Sequence, residues 1–161
     1  KRQEQYLFLA RHNIHSAEEL VGTIASLTDK KKETSAEKSR IYKARERSRE
    51  LFTAADEMEN LKPAEQSYRL GDTFFEDEHR KWVALEQELQ AQGYALEEVQ
   101  ALRRHYKEEY SEVCAKEKVV FRELNTGKAI LNSMIPDSIS DGRKTEYNRE
   151  IIRDRKEQPV R

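Results

Sequence analysis

The sequence predicts an all-α fold: an elongated antiparallel helical hairpin or bundle with two long helices, a shorter bridging helix and coiled-coil-like seams. Three observations lead there. Apolar residues recur at helical and heptad spacing over long stretches. Gly and Pro are scarce, five and three in 161 residues, and charged residues reach 38% against 36% hydrophobic. So many charges do not fit a deep compact core, whereas helices packed along thin apolar stripes leave them in water. The length suits one domain, expected over residues 1–135, with a charged tail at 136–161 that is partly disordered or holds a short helix.

The first helix is expected at about residues 3–12, around the apolar cluster Tyr6 to Leu9. "HSAEELVGTIASL" then reads as a helix start: Ser16 caps the free N–H groups, Glu19 reaches back in a capping box, and Ile14 acts as a hydrophobic staple. The second helix is expected over about 16–61, which at 1.5 Å per residue makes it roughly 70 Å long. Leu20, Leu27, Thr34, Ile41, Ser48 and Ala55 share one heptad column, and Ala44, Leu51 and Met58 the partner column. Lys30, Thr34 and Glu37 are poor seam residues, so a break near 29–35 is the alternative to a continuous helix.

Pro63 and "RLGD" read as a bend that ends this helix. Asp72 caps a bridging helix over about 73–92, with Phe74, Phe75, Trp82, Leu85 and Leu89 as its buried face and Gly93 as its stop. The last helix is expected over about 96–134. Val99, Tyr106, Val113, Val120, Gly127 and Met134 fall seven apart in it, broadened by Leu102, Tyr110, Leu124 and Leu131. Short spacing between the elements favours antiparallel neighbours.

A formal net charge of −1 hides strong segregation. Lys30–Arg49 carries a net +6, Asp56–Glu98 a net −8, and Arg143–Arg161 a net +3. Such a pattern points to a polyelectrolyte partner or to pairing between segments. The single cysteine, Cys114, permits no internal disulfide and fits a reducing cytoplasm. No apolar run approaches the roughly 20 residues needed to cross a bilayer, so membrane insertion is not expected. The sequence opens at Lys1 without an initiator Met, which fits a piece of a larger protein.

The sequence gives no grounds for assigning catalytic or metal-binding residues or a cofactor. "EDEH" places Glu76 and His79 at i and i+3, the spacing of di-metal carboxylate bundles, but those need the motif twice and here it occurs once. His12 and His15 have no flanking Cys or further His, and read as loop residues. Cys114 sits beside an apolar stripe and reads as a structural thiol. "NTGKAIL" lacks the upstream Gly of a phosphate-binding loop. None of the seven tyrosines has a metal or general-base cluster beside it.

The strongest functional lead is "KSRIYKARERSRE", residues 38–50, with six basic side chains and two glutamates. On a helical wheel Ile41, Ala44, Ser48, Leu51 and Ala55 gather on one side. Lys38, Arg45 and Arg49 form one basic rim of that seam, and Arg40, Lys43 and Arg47 the other. Like charges at i and i+4 (Lys43–Arg47, Arg45–Arg49) weaken an isolated helix by a few tenths of a kcal/mol per pair. Two readings stand: the rims contact nucleic-acid phosphates, or they are solvated or paired with the acidic Asp56–Glu98 segment.

The order of elements resembles the C-terminal helical region of bacterial relaxases, the mobilisation nucleases of plasmids and conjugative elements. The resemblance runs over residues 4–137. It is carried by "YLFLARHNIHSAEELVGTIASL", the long charged helix, and "LRRHYKEEYSEVCAKEKVVFRELNTGKAILNSM" with its "IPD" stop. In that family a separate endonuclease domain nicks DNA with a tyrosine nucleophile and a histidine-held metal. Neither motif has a counterpart here. The resemblance therefore implies a non-catalytic accessory domain that contacts DNA, self-associates, or meets a relaxosome or secretion-machinery protein. The other reading is a structural coiled-coil module for protein–protein interaction or oligomerisation.

Overall fold

The computed structural model describes residues 1–135; the tail expected at 136–161 lies outside the described residues. The fold is all-α. Its helices are α1 (Arg2–Arg11), α2 (Ala17–Arg47), α3 (Arg49–Arg69), α4 (Glu76–Ala91), which a 3₁₀ turn at Thr73–Phe75 precedes, and α5 (Leu96–Ser133). They form two compact units, one of Lys1–Glu37 with the chain from Val113, the other of Lys38–Glu112. The divisions fall within α2 and α5.

In the first unit, Phe8 of α1, Leu20, Ile24 and Leu27 of α2, and Leu124, Ile130 and Leu131 of α5 build one apolar core. Gly127 lets α5 approach closely, for a Cβ there would lie 3.1 Å from both Ile24 Cγ1 and Phe8 Cζ. Ser16 caps α2 as expected, accepting from the Glu19 N–H at 3.2 Å, while the Glu19 carboxylate takes the His15 N–H at 2.6 Å. The returning arm of the capping box is thus displaced by one residue. Ile14 is buried, as a staple requires.

In the second unit, α3 and α4 fold back on one another, and α3 also packs on the first half of α5. Leu51, Ala55 and Met58 meet Trp82, Leu89 and Val99 in its core. Partners such as Phe52–Tyr106 and Asp56–Arg103 rise along one helix as they fall along the other, the mark of antiparallel packing. α1, α3 and α4 end alike, with a residue at positive φ (Asn13, Gly71, Gly93). After each, the next N–H reaches back to a free carbonyl: Ile14 to Leu9, Asp72 to Ser67, Tyr94 to Leu89.

Some boundaries follow the sequence and others differ. α2 runs unbroken through 29–35, where Thr34 is buried with its hydroxyl bonded to the Lys30 carbonyl at 2.6 Å. The interruption comes at Ser48, whose N–H turns to the Arg45 carbonyl three residues back at 3.1 Å. Pro63 does not end α3, which continues to Arg69. The Glu59 carbonyl it leaves without a donor lies on an exposed stretch where water reaches it.

Asp72 does cap the next element, accepting from the Phe74 N–H at 3.1 Å. The 3₁₀ turn that follows changes the helical phase, however. Phe74, expected on the buried face, is 82% exposed, while Trp82 and Leu89 are buried as expected. Met134, at the end of the last heptad column, is 53% exposed.

Candidate nucleic-acid interface

The interface lies in the second unit and begins with helix spacing. Tyr42, Arg45, Arg49, Phe52 and Asp56 recur every three or four residues over the end of α2 and the start of α3, so they form one stripe. On α5, Arg103, Arg104 and Lys107 form a short stripe of their own. Antiparallel packing brings the two together as the walls of an open groove of about 820 Å³. Its floor is aromatic: Phe52 is buried and meets Tyr106 edge to face, with ring centroids 6.4 Å apart.

Five cations line this groove (Arg45, Arg49, Arg103, Arg104, Lys107) against two carboxylates, Glu46 and Asp56. Arg103 lies over the Phe52 ring, 5.5 Å from its centroid, and forks onto Asp56 through both terminal nitrogens, Nη2 to Oδ2 at 3.0 Å. The Arg103 hydrogen bond holds the Asp56 carboxyl below its usual range, and the same bond raises the guanidinium. The pair is therefore ionic at any ordinary pH. Tyr42 stands exposed at the rim.

Of the six basic residues singled out in the sequence, the structure brings Arg45 and Arg49 into the groove. Lys38 is half-buried with its Nζ 5.9 Å over the Tyr110 ring. Arg40, Lys43 and Arg47 are exposed, and none of them lines the groove. Among the described residues no ion pair engages Arg40, Lys43, Arg45, Arg47 or Arg49. Pairing with the acidic segment does occur at Asp56, but its partner is Arg103 of α5 and not the basic rim.

Sequence reasoning missed Arg103, Arg104 and Lys107. The signal was present in "LRRHYK", three cations at i, i+1 and i+4, but it gains meaning only opposite Arg45 and Arg49. The dismissed metal motifs diverge in space. Glu76 pairs with Arg80 at 3.0 Å while His79 turns to Glu65 at 2.7 Å. His12 bonds Glu123 and His15 bonds Asn13. No group of three or more metal-ligating side chains occurs among the described residues. Within the same residues no helix is long and apolar enough to cross a membrane.

Compared with known proteins, the chain matches no family model, no curated protein and no solved structure.

Proposed function

We propose that this chain is a non-catalytic helical accessory domain of a relaxase-like DNA-mobilisation protein, and that it engages DNA phosphates through the basic groove of its second unit. The observation that carries the DNA reading is the groove itself: five cations on two facing walls, from α2 and α3 on one side and α5 on the other, four of them without an ion-pair partner among the described residues. Cations left unpaired on facing walls can meet successive phosphates, and their counterions are released when they do. The relaxase attribution is supported by the pattern of helix starts and charges in the sequence. On this reading no step of bond cleavage belongs to the chain.

The test is fluorescence anisotropy of a labelled oligonucleotide across a salt series. Each neutralised phosphate contributes about −0.9 to the slope of log affinity against log salt on duplex DNA, so three to five contacts give a slope of roughly −2.7 to −4.5. Absent or salt-insensitive binding at low ionic strength contradicts the proposal.

A second reading, a protein-interaction or oligomerisation module, draws on the first unit. There Tyr6, Leu7, Val119 and Phe121 are exposed on α1 and α5. Concentration-dependent association that survives charge reversal in the groove would favour it.

A further inference from the structure

Asp56 holds Arg103 in a way that a phosphate would also hold it. The carboxylate presents two oxygens to the two terminal nitrogens of the guanidinium, and a phosphodiester offers the same pair of anionic oxygens to the same fork. The guanidinium also lies over the buried Phe52 ring, 5.5 Å from its centroid. That contact does not involve Asp56 and stays available to Arg103 when Asp56 lets go. Letting go is easy, because the two side chains are 49% and 54% exposed and an exposed ion pair contributes little.

We propose that Asp56 is an internal stand-in for phosphate, occupying the Arg103 fork in the empty groove and yielding it to a phosphodiester. This rests on the DNA-phosphate reading of the groove and adds a selectivity device to it. An isolated small anion competes with Asp56 for Arg103 alone. A nucleic-acid strand displaces Asp56 while also engaging Arg45, Arg49, Arg104 and Lys107, so a polyanion gains more than a small anion from opening the pair. Asp56 thus acts as a gate on the groove cation that lies over Phe52, and Glu46, which has no such fork to occupy, does not.

The experiment is oligonucleotide anisotropy at low salt on the full chain. It compares the parent with Asp56→Asn, Arg103→Gln, the double variant, and Glu46→Gln as a control of equal charge change. Asp56→Ser serves as a second version of the first substitution, and thermal melting establishes that each variant folds. The gate predicts that Asp56→Asn tightens binding about threefold to fivefold, the scale of an exposed ion pair. It also predicts a smaller gain for Glu46→Gln, and a gain from Asp56→Asn no larger than that bulk-charge gain once Arg103 is Gln. Weaker binding by Asp56→Asn would overturn the gate and make Asp56 a residue that positions Arg103. An equal gain in the Arg103→Gln background would reduce the effect to bulk charge and overturn it too. If neither parent nor variants bind, the phosphate reading of the groove falls and the gate with it; binding with additive effects removes the gate alone.

Discussion

Glu65 of α3, only 2% exposed, accepts a hydrogen bond from His79 Nδ1 of α4 at 2.7 Å and another from Arg69 Nε on its own helix at 2.8 Å. A carboxylate can only accept, so the His79 proton sits on Nδ1. Tyr68 stacks on the imidazole with ring centroids 4.1 Å apart, fixing it from the side. This clasp pins the α3–α4 pair and with it the platform that carries one wall of the groove. A buried carboxylate without such partners would cost several kcal/mol, and the two donors offset that cost.

The clasp makes stability depend on acid pH. Burial pushes the Glu65 carboxyl up, but the bonds and charges of His79 and Arg69 together outweigh it and leave it below the ordinary value of 4.5. A depressed folded value means that the ionised group stabilises the fold above the unfolded value and that this contribution is lost as pH falls through the folded one. Urea unfolding should therefore show a steady midpoint from neutral pH to about 5 and a falling one below it. Glu65→Gln should flatten that fall and cost about 1–2 kcal/mol at neutral pH. An unchanged acid profile in Glu65→Gln would show that other carboxylates govern it.

Gly127→Ala should destabilise the first unit although alanine favours a helix. The new methyl would lie 3.1 Å from Ile24 and Phe8, both fully buried, and each would have to shift by a few tenths of an ångström. Overpacking costs typically 1–3 kcal/mol against a helix-propensity gain of about 1, so a net loss of about 1 kcal/mol is expected. A rise in melting temperature would mean that α1 shifts away at no cost.

Pro63→Ala should act the other way. Position 63 is exposed inside α3, and alanine restores an N–H for the Glu59 carbonyl. Proline in a helix interior is about 3 kcal/mol less favourable than alanine, partly offset by the stiffer unfolded chain, so a gain of about 1–2 kcal/mol follows. Thermal denaturation of the two proteins decides it, and equal melting temperatures would show that α3 has adapted fully to the ring.

Heptad spacing made much of the fold legible. Leu20, Leu27, Ile41, Leu51, Met58 and Val113 are buried where the columns place them. The pattern failed where a local tightening of the helix decided the outcome. At Ser48 the N–H turns to the Arg45 carbonyl, and the 3₁₀ turn before α4 rotates Phe74 into solvent. The groove was half legible. Arg45 and Arg49 stand out in their own helix, but Arg103, Arg104 and Lys107 lie more than fifty residues away. Their relevance comes from antiparallel packing, which spacing along one helix does not specify.

Charge reversal separates groove from surface most directly. Arg45, Arg49 and Arg104 changed to Glu alter charge by the same amount as Arg40, Lys43 and Arg47 changed to Glu, yet only the first set lines the groove. Anisotropy binding of one labelled DNA at low salt should fall by roughly tenfold or more for the groove variant and clearly less for the other. Equal losses, or a larger loss from Arg40, Lys43 and Arg47, would contradict the groove as the DNA-binding surface.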